Sequence, residues 1–243
     1  GRCFELAGHL NRLENSLAGV KMTNPYRDDE WEQLIDTLIQ RNGGGDQALY
    51  MQVSRGAAPR DHVFPEGVST SVFVMTNPLK PVSEIVKEHG IQAITLVDTR
   101  WQRCDIKAIS LLPNSLLKQE AKEAGAEEAL LIRDGFMTEG SASNSYAVFD
   151  GVVYTAPKDN TILPGITRDV LLSLAREAGI IVVEEAVAES KLSEADELWV
   201  SSSTREILPI TQLNGQAVGS GKVGPVWQKV DALYQQMKKR AAQ

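Results

Sequence analysis

The run Trp101-Gln-Arg-Cys-Asp-Ile-Lys107-Ala-Ile-Ser-Leu-Leu-Pro-Asn114 decides how the chain is read, because it sets a lysine among apolar residues. Ile106, Ile109, Leu111 and Leu112 surround Lys107 in sequence, and an ammonium beside such neighbours has its charged form disfavoured. Its pKa then falls, and a nucleophilic free amine becomes available near neutral pH, as a Schiff-base lysine requires. The plainer alternative is a solvated lysine whose stem lies along apolar surface. Lys107 therefore needs partners before it carries chemistry.

Working outward, the strand-like run at 91–97 leads into this stretch, and Pro113 with Asn114 starts a helix over 115–124 that Gly125 terminates. Beyond it, strands at 128–133, 145–149, 152–156, 181–185 and 197–201 alternate with a helix at 167–178. Leu213-Asn-Gly-Gln-Ala217 is a tight hairpin signal, and a last helix over 223–240 ends in Lys238-Lys-Arg240, cations that suit its dipole. Upstream, Leu6, Leu10, Leu13, Leu17 and Val20 recur at a helical period, with His9, Arg12 and Ser16 on the opposite face. Asp28 or Asp29 caps a second helix over 30–40, and strands follow at 48–54 and 70–75. Asn77-Pro-Leu-Lys-Pro81 reads as a linker, which divides the chain into domains 1–79 and 80–243. Such mixing of elements predicts an α/β architecture.

Composition narrows the function classes. A chain of 243 residues, 42% hydrophobic and 23% charged, is that of an ordinary globular protein with a full core. The formal charge of -7 argues against a nucleic-acid surface, which needs a concentrated basic face. No apolar run is long enough to span a bilayer, so no membrane partner and a soluble, cytoplasmic protein are expected. Cys3 and Cys104 form no disulfide framework and lack the spacing of a zinc site, so reduced thiols and no metal are expected.

Four loops carry more chemistry than turns require. Met137-Thr-Glu139-Gly-Ser-Ala-Ser-Asn144 follows a carboxylate with small and polar residues, among them Ser141 and Ser143, between two strands. Leu163-Pro-Gly-Ile166-Thr167-Arg-Asp169 leads into a helix whose free N–H groups and dipole favour a phosphate, or forms a plain capping turn. Val200-Ser-Ser-Ser-Thr-Arg-Glu206 closes a strand with four hydroxyl residues, and Arg60 with His62 can together hold a carboxylate. An amine for an aldehyde, a carboxylate for a ring nitrogen, a helix start for a phosphate and a cationic clamp describe a pyridoxal phosphate site. That cofactor is a strong electron sink only while its pyridine nitrogen stays protonated, which Glu139 favours.

The blocks around Lys107, Thr138-Glu-Gly-Ser-Ala-Ser-Asn144 and Leu163-Pro-Gly-Ile-Thr-Arg168 resemble the signatures of the fold-type IV, or class IV, aminotransferases. Arg55-Gly-Ala-Ala-Pro-Arg60-Asp-His62 resembles the D-amino-acid transaminases within that family. The resemblance implies a two-domain α/β enzyme, with a small N-terminal α/β domain and a larger C-terminal pseudo-barrel domain with helices. It implies that Lys107 forms the Schiff base with pyridoxal 5'-phosphate and that Glu139 pairs with the pyridine nitrogen. Arg12, Ile166, Thr167 and Ser203 are implied on the phosphate side, and Ser141, Ser143 and Asn144 complete the cofactor-binding set. Arg60 and His62 are implied to hold the substrate α-carboxylate from the neighbouring subunit, and a homodimer follows.

The resemblance departs at the front, where family members carry a further segment with strands and a substrate-holding tyrosine. The small domain is therefore expected to be incomplete here. The function that follows is transfer of an amino group between D-amino acids, such as D-alanine or D-glutamate, and 2-oxo acids. Alternatives are a branched-chain L-amino-acid aminotransferase, an aminodeoxychorismate-lyase-like enzyme, or a non-catalytic α/β protein that binds a phosphorylated metabolite.

Overall fold

The computed structural model describes residues 3–241; Gly1, Arg2, Ala242 and Gln243, which the domain ranges above include, lie outside the described residues. The chain divides into two compact units, Gly1–Lys80 and Pro81–Gln243. The N-terminal unit holds helices α1 (Leu6–Gly19) and α2 (Asp28–Arg41) and the strands β1 (Gln47–Ser54) and β2 (Ser71–Pro78), which pair antiparallel from Gln47↔Pro78 to Ser54↔Ser71. Leu10 and Leu17 of α1 are buried as its period requires, but Arg12 and Ser16, expected on the opposite face, are buried too. In α2 the first turn is set by Glu30, whose Oε2 accepts from the Arg27 N–H at 2.8 Å, one residue ahead of the expected aspartate caps. The stretch read as a linker is in part strand: Asn77 and Pro78 end β2, where a proline at a strand terminus removes no interior hydrogen bond.

The C-terminal unit is built on one sheet. Helix α3 (Glu84–His89) precedes β3 (Ile91–Val97), and α4 (Leu112–Glu123) precedes β4 (Glu128–Arg133) and β5 (Phe136–Gly140). Then come β6 (Asn144–Phe149), β7 (Val152–Thr155), α5 (Ile166–Glu177), β8 (Val182–Glu184), a 3-10 helix (Glu189–Glu194), β9 (Glu197–Ser202), β10 (Glu206–Leu213), β11 (Gln216–Ala217) and α6 (Pro225–Ala241). The strand order is β5-β4-β3-β10-β9-β6-β7-β8, with β11 paired to β10. The sheet curls, so that Ser145 Oγ of β6 donates to the Thr138 carbonyl of β5 at 3.3 Å although β5 ends the order. Leu130, Met137, Ala147, Leu198, Val200, Leu208 and Ile210 form one buried core cluster with Val187 and Leu192.

Two strands were not legible as such. Glu139, expected in a loop, lies in β5, which the Asp134-Gly135 turn (φ 53 and 81) folds back onto β4. Residues 206–213 form β10, whose central place joins β3 in parallel to β9 antiparallel. The Asn214-Gly215 hairpin takes positive φ at both positions (51 and 76), and Asn214 Oδ1 accepts from Thr95 N–H at 2.8 Å. Helix α4 begins at Leu112, ahead of the expected start, because Pro113 is tolerated in a first turn that spends no N–H there.

Candidate active site

Glu139 is the centre of a buried polar cluster in the C-terminal unit. It lies on β5, and its carboxylate meets the guanidinium of Arg100, which follows β3. Asn144, opening β6, donates from Nδ2 to Glu139 Oε2 at 3.0 Å and to the Leu163 carbonyl at 2.8 Å. The Leu163 N–H donates to the same carboxylate at 3.1 Å from Oε2. These bonds tie β5, β6 and the loop ahead of α5 together. Asn144 also stands opposite Ser201 of β9 in register, and Ser201 Oγ is 2.7 Å from the Tyr146 hydroxyl.

The charges behind Glu139 form a chain. Asp98 is held by Arg100 at 2.8 Å and by Arg133 at 2.8 Å, and Thr138 Oγ1 donates to it at 3.2 Å. Burial pushes Glu139 up to about 7 against the opposing pull of Arg100 and the Leu163 N–H. Burial pushes Asp98 in the same direction, but its hydrogen bonds and charge contact with Arg100, reinforced by Arg133, hold it below the ordinary carboxylate value. Arg100 is desolvated as well, yet Asp98 and Glu139 on either side raise it further into the cationic state. One guanidinium between two carboxylates cannot neutralise both fully, and Asp98, with a second arginine, takes the larger share.

Helix α5 begins at Ile166 and Thr167, both buried, with Gly165 as its cap residue and no side chain capping the free N–H groups. Gly165 is required for space: a Cβ there would sit 1.9 Å from Asn144 Oδ1. The hydroxyls of the 141–143 loop face inward. Ser141, fully buried, donates to Glu128, and Ser143 Oγ reaches the same carboxylate at 3.1 Å. Lys118 stands 3.2 Å from Glu128, and a cavity of about 110 Å³ beside Ser143, Ser201 and Ser202 is lined by this group and Arg205.

Lys107 lies in an irregular segment between β3 and α4 and is exposed. The apolar surround expected for it is not formed: Ile106 is buried, but Ile109, Leu111 and Leu112 are 69%, 51% and 71% exposed. Without a helical or strand period, neighbours in sequence do not share a face with the lysine. Both flanks of the segment are nevertheless pinned to the Glu139 cluster, because Arg100 holds the carboxylate and Asn114 Nδ2 donates to the Ser141 carbonyl at 2.8 Å. Further ties run from Cys104 N–H to the Asn160 carbonyl at 2.9 Å and from Asn160 Nδ2 to the Gln102 carbonyl at 2.7 Å.

Of the remaining candidates, Ser203 is exposed in the turn after β9. Arg12, Arg60 and His62 belong to the N-terminal unit. Arg12 is buried on α1 with Nη2 3.4 Å from His9 Nδ1, while Arg60 and His62 are exposed in the loop between β1 and β2. Sequence reasoning missed Asp98, Arg100, Arg133 and Glu128. Glu128 had a visible signal, a carboxylate opening the apolar run Ala-Leu-Leu-Ile; the other three had none, since their pairing spans three strands.

Residues 1–213 match the amino-transferase class IV family. The D-alanine aminotransferase of Bacillus licheniformis is 42% identical over 97% of this chain and 83% of its own length. That of Staphylococcus epidermidis is 37% identical over 97% and 83%. Among solved structures, the branched-chain amino acid aminotransferase of Escherichia coli superposes with a TM-score of 0.85 at 28% identity, covering 94% of this chain and 77% of that one.

Proposed function

The chain belongs to the class IV amino-transferases, and from that membership we propose how its residues carry the transfer of amino groups between D-amino acids and 2-oxo acids. The relatives at 42% and 37% identity are named D-alanine aminotransferases, which supports this reading. The observation that carries the assignment of roles is the buried Glu139 carboxylate, joined through Asn144 and Leu163 to the uncapped start of α5.

The residues fit pyridoxal 5'-phosphate. A helix start without a side-chain cap suits its phosphate, and a desolvated carboxyl poised at about 7 suits a protonated ring nitrogen, which adds the positive charge that draws out the carboxylate. When bound, the cofactor supplies an electron sink for the bonding pair at the substrate α-carbon. Glu139 holds the proton on the ring nitrogen, and Arg100 with Asn144 keeps its carboxylate aimed. Ile166 and Thr167 give backbone N–H groups and a hydroxyl to the phosphate, and the family resemblance assigns Arg12 and Ser203 to the same group. Ser141 and Ser143 keep the loop ahead of Asn144 in place through Glu128. Lys107 Nζ anchors the cofactor through its aldehyde carbon. As a free amine, Nζ would serve as the base that takes the proton from the substrate Cα and would hold it for return to the reacting centre. Exposure of Lys107 suits an amine that must exchange partners. Arg60 and His62 grip the α-carboxylate, and the side on which they hold it selects the D enantiomer.

We place the clamp in the partner subunit of a homodimer. Exposed Val97, Ile109, Leu111, Leu112 and Leu116 in the C-terminal unit support an apolar contact of that kind. Free Cys3 and Cys104 suit a reducing, cytoplasmic setting, and among the described residues no helix is long and apolar enough to cross a membrane.

An absorption spectrum of the cofactor-loaded protein tests the reading. D-alanine shifts the cofactor band and L-alanine leaves it unchanged, and borohydride fixes the cofactor to the parent protein but not to Lys107→Ala. Response to L-alanine alone refutes the substrate assignment, and fixation in the variant refutes the role of Lys107.

A further inference from the structure

We propose that Arg55 is a positioning residue for the substrate clamp, acting as a staple between the end of α1 and Phe64 that fixes the loop carrying Arg60 and His62. The inference rests on the clamp assignment above and adds the element that holds the clamp still.

The loop spans residues 55–70 and has no regular secondary structure to order it. Its stems meet at the last β1–β2 pair, Ser54↔Ser71, and stay close one step further out. There Gly56 takes φ +115 and a Cβ would lie 2.2 Å from the Ser69 carbonyl oxygen, so only glycine allows the two stems to approach. Beyond that neck a loop of this length samples many conformations unless something inside it ties its limbs together.

Arg55 supplies the tie. Its guanidinium carbon stands 3.5 Å from the centroid of the Phe64 ring, a cation–π contact between the start of the loop and its returning limb. The same guanidinium donates from Nη1 to the Lys21 carbonyl at 3.1 Å and from Nη2 to the Val20 carbonyl. Those carbonyls lie at the C-terminal end of α1, where orphan acceptors and the helix dipole favour a cation. One planar group thus bonds α1 with its edge and stacks the returning limb on its face. Arg60 and His62 lie between Arg55 and Phe64, so the chain that bears them must double back within the closed segment, and Pro59 and Pro65 stiffen its two sides. A lysine keeps the charge but has neither the fork nor the plane.

The test uses the cofactor-loaded enzyme and two variants, Arg55→Lys and Phe64→Leu. Each is expected to weaken D-alanine roughly fivefold to tenfold in the spectral half-reaction, the scale of one lost stack or charged hydrogen bond. The maximal rate, the cofactor band and the melting temperature stay within twofold or a few degrees of the parent. D-alaninol, which lacks the carboxylate, is the discriminating probe: its half-reaction is unchanged in both variants, whereas a merely structural role lowers both substrates together. Equal loss of D-alanine and D-alaninol overturns the proposal. So does unchanged D-alanine affinity in Phe64→Leu when Arg55→Lys fails to fold. Arg60→Ala separates the layers: if it leaves D-alanine affinity intact, the clamp assignment itself is wrong, and if it alone weakens D-alanine, only the staple is wrong.

Discussion

Replacing Glu139 by Gln should remove a pH dependence of stability that the buried carboxyl imposes on the cofactor-free protein. Its carboxyl sits at about 7 in the folded chain against an ordinary 4.5, with burial as the main cause. A raised carboxyl pKa means that the folded state binds more protons than the unfolded state between those values, so stability falls as pH rises through that window and is level above it. At about 1.4 kcal/mol per unit, the loss between pH 4.5 and 7 is about 3 kcal/mol. Asp98 acts in the opposite sense and elsewhere: Arg100 and Arg133 depress it, so its contribution is present above its unfolded value of 3.8 and is lost as pH falls below it. Urea denaturation of parent and Glu139→Gln proteins at several pH values isolates the effect as a difference of two curves, with equal m-values as the check on a common unfolded state. The parent should lose about 3 kcal/mol relative to the variant between about pH 4.5 and 7.5. A difference that is flat across this window, or that grows in favour of the parent as pH rises, would refute the claim that desolvation outweighs Arg100 at Glu139.

Further outcomes follow from the same geometry. Arg100→Met leaves Glu139 and Asp98 buried with their shared guanidinium gone, and should cost about 3–5 kcal/mol of stability in urea at about pH 8. The loss should shrink as pH falls from about 8 towards 7, because without Arg100 the buried Glu139 carboxyl keeps its proton more readily. Gly165→Ala forces a methyl into Asn144 Oδ1, 1.9 Å away, and should cost about 1–3 kcal/mol while weakening cofactor binding, read by titration of the absorption band.

The sequence by itself determined the α/β class, most element positions and the residue types of the site. Strands at 91–97 and 128–133 appear where the apolar runs place them: the second buries five of its six residues, and the first buries Ile91 and Ala93. Asn214-Gly215 made its hairpin because few dipeptides accept positive φ twice in succession. The reading failed where local composition and tertiary pairing disagree: Glu139 and Thr138 are polar, so their stretch read as a loop, yet pairing to β4 makes it a strand and aims the carboxylate inward. The apolar residues around Lys107 read as its shelter, yet most of them face outward, because in an irregular segment adjacency along the chain says nothing about adjacency in space. What only the tertiary structure decided is the electrostatics of the site. Asp98, Arg100, Arg133 and Glu139 come from three strands and their flanks, and whether a buried carboxyl is charged depends on distances between groups that the linear order does not encode.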